Sequence, residues 1–521
     1  MRRRIRVRGM AAAGIAVLGL LRPTSSPAIA EEGPAARLKV VVVIFDGLRP
    51  DYITAARMPV LHAFGQRGVV SSAHHSLFPT VTRVNASALV TGASPGRHGI
   101  LDNVIYLPRV DAERALNTGD GGVMAHADSV LGGSLLSVPT LPALLRARDR
   151  RMIVASAGSS GSAYLLAGAG QATTLNAELT LPGSLEGMTR AVLGDPPADA
   201  SPNLGLNARA VDALLRIGVD SLDTDVAFLW LSDPDHTAHA AGIGSTLADS
   251  SIRAADREFG RLLDGLRGRG LGAGVDVFVV SDHGFSTHAG RDAPITSVLA
   301  RFKDRVTTAG SAVYIRRGGD TTRAAVVRAL LAAPAVGAVF TRAPATGGTD
   351  GHGIESGSLS FESIGWDHAR AGDVLFSANW SHGRNAAGFA GQTDQAGVAG
   401  HGTTSPHDIS ATLVAAGPHV RVGVRSAVPS SNADIAPTLL RLLGIAPAPS
   451  MTGRALLELL RDGPEPRSVR VQRDSVVADA SKSTPHATGY RTTLYRSRVN
   501  GTRYVDSTRT IRATRTAPAR R

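Results

Sequence analysis

The sequence predicts an α/β protein in which a sheet is covered by helices. Short runs rich in Val, Ile and Leu alternate with amphipathic segments, and Gly residues follow several of those segments. Three of the apolar runs end in acidic residues. Because the carboxyl ends of strands form the ligand crevice in open α/β sheets, this order also predicts where a functional site lies.

The individual elements follow from hydrophobic periodicity. Continuous apolar runs predict buried strands at 38–48 (LKVVVVIFDGL), 151–158, 226–233 and 275–284. Helical spacing predicts helices at 140–149, 206–222, 251–270 and 432–445. A shorter helical run, RVNASALV, follows Thr82 and is stopped by Gly92.

The first thirty residues predict a secretory signal peptide. A basic start (MRRRIRVRGM), an apolar run and a final Ala-x-Ala pattern indicate cleavage after Ala30 and a secreted or periplasmic protein. No later run approaches the ~18 apolar residues that a membrane span needs. The chain has no Cys, so neither a disulfide framework nor a lipid-anchoring Cys is expected.

The net charge of +13 does not predict nucleic-acid binding. Residues 1–30 carry six Arg and no acid, and residues 465–521 carry thirteen Lys/Arg against four Asp/Glu. The body between them is therefore close to neutral and lacks the basic face that phosphate-backbone binding requires. The sequence leaves the oligomeric state open.

A change of texture near residue 290 predicts an insertion. Residues 310–342 have a strand–helix–strand pattern followed by Gly-rich polar segments, and apolar strand character resumes at 410–418. We expect a catalytic domain formed by 31–290 and 400–465, interrupted by an α+β cap subdomain at 291–399. Residues 466–521 predict a basic C-terminal hairpin and tail, with Asn500-Gly501 as a type I′ turn.

The strand-end acids are accompanied by histidines. The relevant motifs are VVVIFDG with Asp46, SDPDHTAH with Asp233, Asp235 and His239, SDHG with Asp282 and His283, and AGHGTTSPHD with His401 and His407. Mixed carboxylate and imidazole ligands suit Zn²⁺ better than Mg²⁺ or Ca²⁺. Six ligands exceed one tetrahedral site, so the sequence predicts two divalent metal ions, expected to be Zn²⁺, and leaves the choice between zinc and manganese open.

A metal pair of this kind requires a nucleophile, and LFPTVTRVNASALVTG offers four hydroxyl side chains. Thr82 precedes the short helical run, where helix N–H groups favour an alkoxide. Thr80 follows Pro79 in an extended turn and is less well placed. The alternative for Thr82 is a plain helix N-cap.

The order of these motifs resembles the type I phosphodiesterase/nucleotide pyrophosphatase family of the alkaline phosphatase superfamily. The resemblance rests on VVVIFDGLRPDY, FPTVTRVNASALVTGASPGRHGILDN, DPDHTAH, SDHG and GHG, and covers roughly 38–290 and 395–445. It implies an alkaline phosphatase-like central sheet and an exported two-metal phosphoric ester hydrolase. The implied substrate is a small phosphate ester.

The resemblance also implies roles for individual residues. One zinc would be held by Asp46, Thr82, Asp282 and His283, and the other by Asp235, His239 and His401. Thr82 would attack phosphorus and form a phospho-threonine intermediate. Asn103 would donate a hydrogen bond to a non-bridging phosphate oxygen. His401 is preferred to His407 because His-Gly is the family pattern.

One departure concerns the substrate. The family usually places an aromatic residue after the nucleophile, whereas this chain has Arg83. Arg83 would bind a second anionic group of the substrate, or it would point to solvent. His74, His75, His98, His236 and His288 receive no role.

Four alternatives compete with the phosphodiesterase. An alkaline phosphomonoesterase needs extra positive charge, for which Arg83 is the candidate. A sulfatase needs Cys or Ser where Thr82 stands, and a mutase or transferase is disfavoured by export. A secreted binding protein with structural metals would favour Cys ligands, which are absent.

Overall fold

The computed structural model describes residues 37–290, 295–345, 351–480 and 489–512. The predicted signal peptide lies outside these residues. Within them, a nine-stranded sheet forms the centre of the fold. Its strands, in spatial order, are Val424–Ser426, Val69–Ser71, Leu413–Ala416, Asp276–Val280, Val40–Phe45, Val226–Leu231, Met152–Ser156, Thr173–Asn176 and Thr180–Leu181.

The middle of this sheet is parallel. Val40–Phe45 pairs in parallel with Val226–Leu231 on one side and Asp276–Val280 on the other. Leu413–Ala416 is antiparallel to Asp276–Val280, and Thr180–Leu181 is antiparallel to its own neighbour. The predicted α/β class is confirmed, with a mixed rather than fully parallel sheet.

The central strands read as unbroken apolar runs because helices cover both faces. All six residues of Val40–Phe45 are buried. Val41, Val43 and Phe45 pack into one hydrophobic cluster and their alternate neighbours into another, as the two-residue period of a strand requires.

Two layers of helices provide those clusters. The layer over Val41 contains Pro59–Gln66, Leu204–Ala213 with a π-helical continuation at Leu214–Val219, and Thr246–Gly268. The layer over Val42 contains Thr82–Thr91, Leu141–Arg146, Ser160–Leu166 and Ile435–Leu442. Further helices are Pro95–His98, Gly121–Val130, Glu186–Leu193, Asp235–Ala241, Ile295–Ala300, Gly319–Ala332 and Pro406–Ile409. The four buried strands and the longer helices predicted from periodicity are thus confirmed, with ends shifted by a few residues.

A second, five-stranded sheet follows residue 300. It comprises Val306–Ala309, Ala312–Ile315, Val374–Ala378, Val336–Thr341 and Leu359–Ser360, and Gly319–Ala332 packs on it. The predicted strand–helix–strand pattern is present. The part after residue 350 contains strands that were not predicted. Leu359–Ser360 has only two residues, whereas Val374–Ala378 (VLFSA) is a buried apolar run inside the stretch interpreted as Gly-rich and polar.

Three small sheets complete the described chain, together with a two-stranded pair. They are Trp380–Arg384 with Ala390–Thr393, Ser286–His288 and Ala399–Gly400; Ser410–Ala411 with His74–His75 and Ser430–Ser431; Gln472–Asp479 with Arg491–Val499 and Thr502–Ile511; and Val104–Ile105 with Leu116–Asn117. Asn500 and Gly501 both have positive φ, 50° and 87°, which agrees with the predicted type I′ turn. The sequence predicted that hairpin but not its third strand. In the described part of the chain no helix is long and apolar enough to cross a membrane.

Candidate metal centre

Three adjacent parallel strands bring three carboxylates to one edge of the central sheet. Asp46 directly follows Val40–Phe45, Asp282 lies two residues after Asp276–Val280, and Asp235 begins a helix after Val226–Leu231. A backbone hydrogen bond holds two of these strand ends together, since the N–H of Asp235 donates to the carbonyl of Asp46 at 3.0 Å. The three carboxylates therefore lie close together at the carboxyl ends of the strands, as the sequence predicted.

The first triad consists of Asp46, Asp282 and His283, all buried. Nε2 of His283 lies 3.1 Å from Oδ2 of Asp282 and 3.5 Å from Oδ1 of Asp46. The ligand atoms of the three side chains all lie within 4.8 Å of one another.

The second triad consists of Asp235, His239 and His401. Oδ1 of Asp235 lies 3.2 Å from Nε2 of His239 and 3.4 Å from Nε2 of His401. Asp235 and His239 share one face of the helix Asp235–Ala241, as their four-residue spacing predicted. Oδ1 of Asp235 is also 3.9 Å from Nε2 of His283, so the two triads are contiguous.

Backbone carbonyls fix the tautomer of all three imidazoles. Nδ1 of His283 donates to the carbonyl of Gly284 at 2.9 Å, Nδ1 of His239 to that of Ala399 at 3.1 Å, and Nδ1 of His401 to that of Thr80 at 2.8 Å. Since a carbonyl can only accept, Nδ1 carries the proton and Nε2 presents its lone pair to the cluster. This is the usual arrangement behind metal-bound histidines.

The donor set fits divalent cations. Oδ1 of Asp46, Oδ1 of Asp235 and Oδ2 of Asp282 are buried and have no hydrogen-bond partner. Burial, followed by the charges of Asp282 and Asp235, raises the pKa of Asp46 well above its ordinary value. Burial likewise raises the pKa of Asp282. Buried acceptor oxygens are costly unless paired, and cations bound among the three carboxylates would pair them.

The imidazoles affect the pKa of Asp235 in the opposite direction. Burial opposes its ionisation, but His239 and the other two imidazoles outweigh that effect and lower its pKa. The pKa of His401 is held well below the ordinary value by burial and then by His283. The second triad therefore offers an ionised Asp235 beside the neutral imidazole of His401. Burial lowers the pKa of His239, but the charge of Asp235 and the hydrogen bonds to the ring together outweigh burial and raise it, so a cation bound here would displace a proton from that ring.

Thr82 lies against the first triad. Its Oγ1 is 3.4 Å from Nε2 of His283, and the residue is 5% exposed. Val81, in extended conformation, precedes the helix, and Thr82 is its first residue. The N-cap alternative for Thr82 is therefore wrong, because the N-cap position belongs to Val81.

Asn103 and Arg83 are linked through the start of the same helix. The backbone N–H of Arg83 donates to Oδ1 of Asn103 at 3.0 Å, which commits the amide oxygen and leaves the amide nitrogen as the donor. The guanidinium of Arg83 donates from Nη2 to Oγ of Ser159 at 3.1 Å. Arg83 is partly buried, so the solvent-directed alternative does not describe it.

Several other predicted polar residues lie elsewhere. Asp233 is turned into a structural network, accepting from Oγ1 of Thr237 at 2.7 Å and from the N–H of Asn203 at 2.8 Å. Nε2 of His407 lies 3.1 Å from Nδ1 of His382, outside both triads. His74 is buried between Ser430 and Asn432, and His98, His75, His236 and His288 belong to neither triad.

Two supporting residues were not singled out from the sequence. Nε1 of Trp230 donates to Oδ2 of Asp46 at 3.1 Å, and the N–H of Gly47 donates to Oδ1 of Asp282 at 3.0 Å. Gly47 has φ of 67°, and a Cβ there would lie 3.0 Å from Cβ of Asp235. A Gly directly after a strand-end Asp indicates a place where another segment approaches the backbone closely, so Gly47 could have been found from the sequence. Nothing in the sequence indicates the hydrogen bond from Trp230.

The chain is similar to known proteins in sequence and in fold. Residues 40–339 match the sequence model described as type I phosphodiesterase/nucleotide pyrophosphatase. A venom phosphodiesterase of Macrovipera lebetinus is 25% identical over 250 residues, which cover 47% of this chain and 25% of the relative. Ectonucleotide pyrophosphatase/phosphodiesterase family member 1 of Mus musculus is 24% identical over 242 residues, covering 46% and 23%. The matched region is therefore about a quarter of each relative.

Solved structures establish the fold. Murine ectonucleotide pyrophosphatase/phosphodiesterase 5 matches with a TM-score of 0.58 at 18% identity, covering 81% of this chain and all of that one. An inactive variant of that murine protein, with one Thr replaced by Ala and AMP bound, matches with a TM-score of 0.55 at the same identity and coverage.

Proposed function

Because the chain belongs to the type I phosphodiesterase/nucleotide pyrophosphatase family, we propose that it hydrolyses phosphoric diesters with Thr82 as the nucleophile. One observation carries the proposal. The Thr82 hydroxyl lies 3.4 Å from Nε2 of His283, at the border of two contiguous carboxylate–imidazole triads. An inactive Thr-to-Ala variant of a structural relative, solved with AMP, supports a Thr nucleophile and a phosphate-ester substrate.

We assign one divalent cation to each triad. Asp46, Asp282 and His283, with Thr82, would hold one, and Asp235, His239 and His401 the other. The mixed oxygen and nitrogen donors favour Zn²⁺. When bound, such cations supply Lewis-acid stabilisation of the charge that develops in phosphoryl transfer.

The chain's own residues set up the attack. Thr82 is the first residue of a ten-residue helix, whose N-terminal dipole stabilises negative charge on Oγ1. Thr82 would lose its hydroxyl proton to solvent, and Oγ1 would attack phosphorus, forming the Oγ1–P bond as the P–O bond to the leaving alkoxide breaks in line. The other ester group would stay on the phosphorus of phospho-Thr82. Water would then release the phosphoryl group and regenerate the hydroxyl.

Asn103 is assigned to the non-bridging oxygen of the phosphoryl group. Its Oδ1 is occupied by the N–H of Arg83, so its Nδ2 is oriented as a donor next to the nucleophile. A donor held before the reaction begins stabilises the charge that accumulates on that oxygen.

A diester is favoured over a monoester by the position of Arg83. A monoester dianion needs a cation for its third non-bridging oxygen, and Arg83 is the cation beside Thr82 in sequence. Its Nη2 instead donates to Oγ of Ser159. We therefore assign Arg83 to a substrate group beside the phosphate rather than to a third non-bridging oxygen.

Two further proposals concern where the enzyme acts and which parts of the chain carry its chemistry. We propose export through residues 1–30; the curated relatives include a venom enzyme and an ectoenzyme by name. We assign the chemistry to the part of the chain around the nine-stranded sheet, with 291–399 shaping access and residues 466–521 as a basic C-terminal element.

Two assays test the proposal. The zinc-loaded protein is expected to show a higher kcat/KM for bis-p-nitrophenyl phosphate than for p-nitrophenyl phosphate. Thr82→Ala is expected to lose turnover by at least about a thousandfold, while retaining its bound metal by elemental analysis. A preference for the monoester would reassign the protein as a phosphomonoesterase, and full activity of the variant would exclude Thr82 as nucleophile.

A further inference from the structure

A cavity of about 480 Å³ opens beside the proposed nucleophile. We call it the Arg83 pocket. The residues of its lining that can contact a ligand through charge or a hydroxyl group are Arg83, Asp120, Ser159, Ser160 and Glu178. Leu179 is the one large apolar side chain in the lining, and no lining residue is aromatic.

The guanidinium of Arg83 is held against one wall of this pocket. Nη2 donates to Oγ of Ser159, and Nε is buried without a hydrogen-bond partner. A Cβ on Gly119 would lie 2.6 Å from Nη2, so the absence of a side chain there makes room for the guanidinium. The pocket thus keeps unused donor capacity on Arg83.

Two carboxylates supply acceptors in the same cavity. Oδ1 of Asp120 accepts from the N–H groups of Gly122 and Val123 at 2.8 and 3.0 Å. Oε2 of Glu178 accepts from the hydroxyl of Ser160 at 2.8 Å. Each carboxylate therefore has one oxygen engaged in fixing its position and a second that remains an acceptor.

This lining selects a chemical class. A nucleobase is usually bound by stacking on aromatic rings, and the pocket has none. A second anionic group would meet two carboxylates against one guanidinium. A hydroxyl group both donates and accepts, so it satisfies carboxylate and guanidinium together.

We propose that the Arg83 pocket binds a polyhydroxylated alcohol carried by the phosphodiester substrate. This rests on the proposed function, since it takes Thr82 as the attacking residue. The leaving oxygen departs opposite Oγ1 of Thr82. The backbone N–H of Arg83 instead holds Asn103, which is assigned to a non-bridging oxygen, so we place the pocket beside phosphorus rather than beyond the leaving group. The polyol is then the substituent that stays on phosphorus.

A matched series of p-nitrophenyl phosphodiesters tests this assignment. The retained substituent is ethyl, 2,3-dihydroxypropyl or thymidin-5′-yl, and the leaving group is constant. The dihydroxypropyl ester is expected to exceed both others in kcat/KM by about tenfold, because its hydroxyl groups can pair with the charged side chains of Arg83, Asp120 and Glu178, whereas the ethyl ester leaves these side chains to water. Glu178→Gln is expected to reduce that ratio, whereas Glu186→Gln, at an exposed site on the helix Glu186–Leu193, leaves it unchanged.

Direct binding to Thr82→Ala separates the polyol assignment from the proposed catalytic function. Titration calorimetry with the same three esters is expected to give the tightest Kd for the dihydroxypropyl ester. Equal values for the ethyl and dihydroxypropyl esters, or a preference for the thymidine ester, would overturn the polyol assignment while leaving phosphodiesterase activity intact. Selective binding with no turnover by the unmodified enzyme would support the pocket and overturn the proposed function.

Discussion

The imidazole rings of His283 and His401 are stacked, with centroids 3.5 Å apart and planes 14° from parallel. One ring belongs to each triad, so the two candidate metal positions share a wall of two histidines. Two imidazolium rings at this distance would repel each other strongly, and burial together with His283 holds the pKa of His401 well below its ordinary value. The stack therefore keeps Nε2 of His401 available as a neutral ligand.

The second triad provides the first prediction, on metal stoichiometry. His239→Ala removes one of three ligand atoms around the second position and is expected to lower bound zinc from two ions per chain to one after dialysis. Elemental analysis of the purified protein measures this directly. His407→Ala is the matched control, since His407 contacts His382 outside both triads. Loss of metal from the control, or its retention by the variant, would contradict the assignment.

The second prediction concerns Asn103. Asn103→Ala removes the donor assigned to the phosphoryl oxygen and is expected to lower kcat by roughly 10²–10³, with metal content unchanged. Asn103→Asp keeps the shape but offers a carboxylate to an anionic group. The kcat of Asn103→Asp is expected to be no higher than that of Asn103→Ala. A higher kcat for Asn103→Asp would argue against a contact between residue 103 and the phosphate.

The third prediction uses two glycines with nearly the same backbone conformation. Gly47 and Gly132 have φ of 67° and 66°, but a Cβ at 47 would meet Asp235 and Phe285, whereas a Cβ at 132 meets nothing within 4 Å. Gly47→Ala is expected to lose about 1–3 kcal/mol more stability than Gly132→Ala, because overpacking adds to a shared backbone strain. Urea unfolding of both variants measures the difference, and equal losses would show that the contact with Asp235 is unimportant.

The fourth prediction is a pH dependence of stability. Burial raises the pKa of Asp102 from 3.8 to about 6, although the N–H groups of Ser311 and Asn103 donate to its carboxyl. Because the folded-state pKa lies above the unfolded one, the folded protein binds the proton more tightly. This contribution to stability is present below about pH 4 and is lost as the pH rises through 6. Between those two pKa values the free energy of unfolding falls by up to about 1.4 kcal/mol per pH unit.

Comparison with Asp102→Asn isolates that contribution, since Asn does not titrate. The free energy of unfolding of the unmodified protein, relative to the variant, is expected to fall between pH 4 and 7. Asp304→Asn, at an exposed site, serves as the control. Parallel pH profiles for the protein and Asp102→Asn would contradict the raised pKa.

Much of the site was predictable from local pattern. A continuous apolar run such as VVVVIF is a strand buried on both faces, so the polar residue that ends it must lie at the sheet edge. That logic selected Asp46, Asp282 and His283. The four-residue spacing of Asp235 and His239 selected a helical pair, and Gly92 marked the end of the helix that begins at Thr82.

The sequence by itself determined the class of fold and selected the strand-end acids and histidines and the candidate nucleophile Thr82, because these depend on periodicity and on neighbours along the chain. Only the tertiary structure decided that Asp233 turns into a network with Thr237, while Asp235 faces the histidines. It also placed the carbonyls of Thr80 and Ala399 behind the imidazoles of His401 and His239. Such contacts join residues more than a hundred positions apart, and side-chain direction at those distances is set by packing rather than by local propensity.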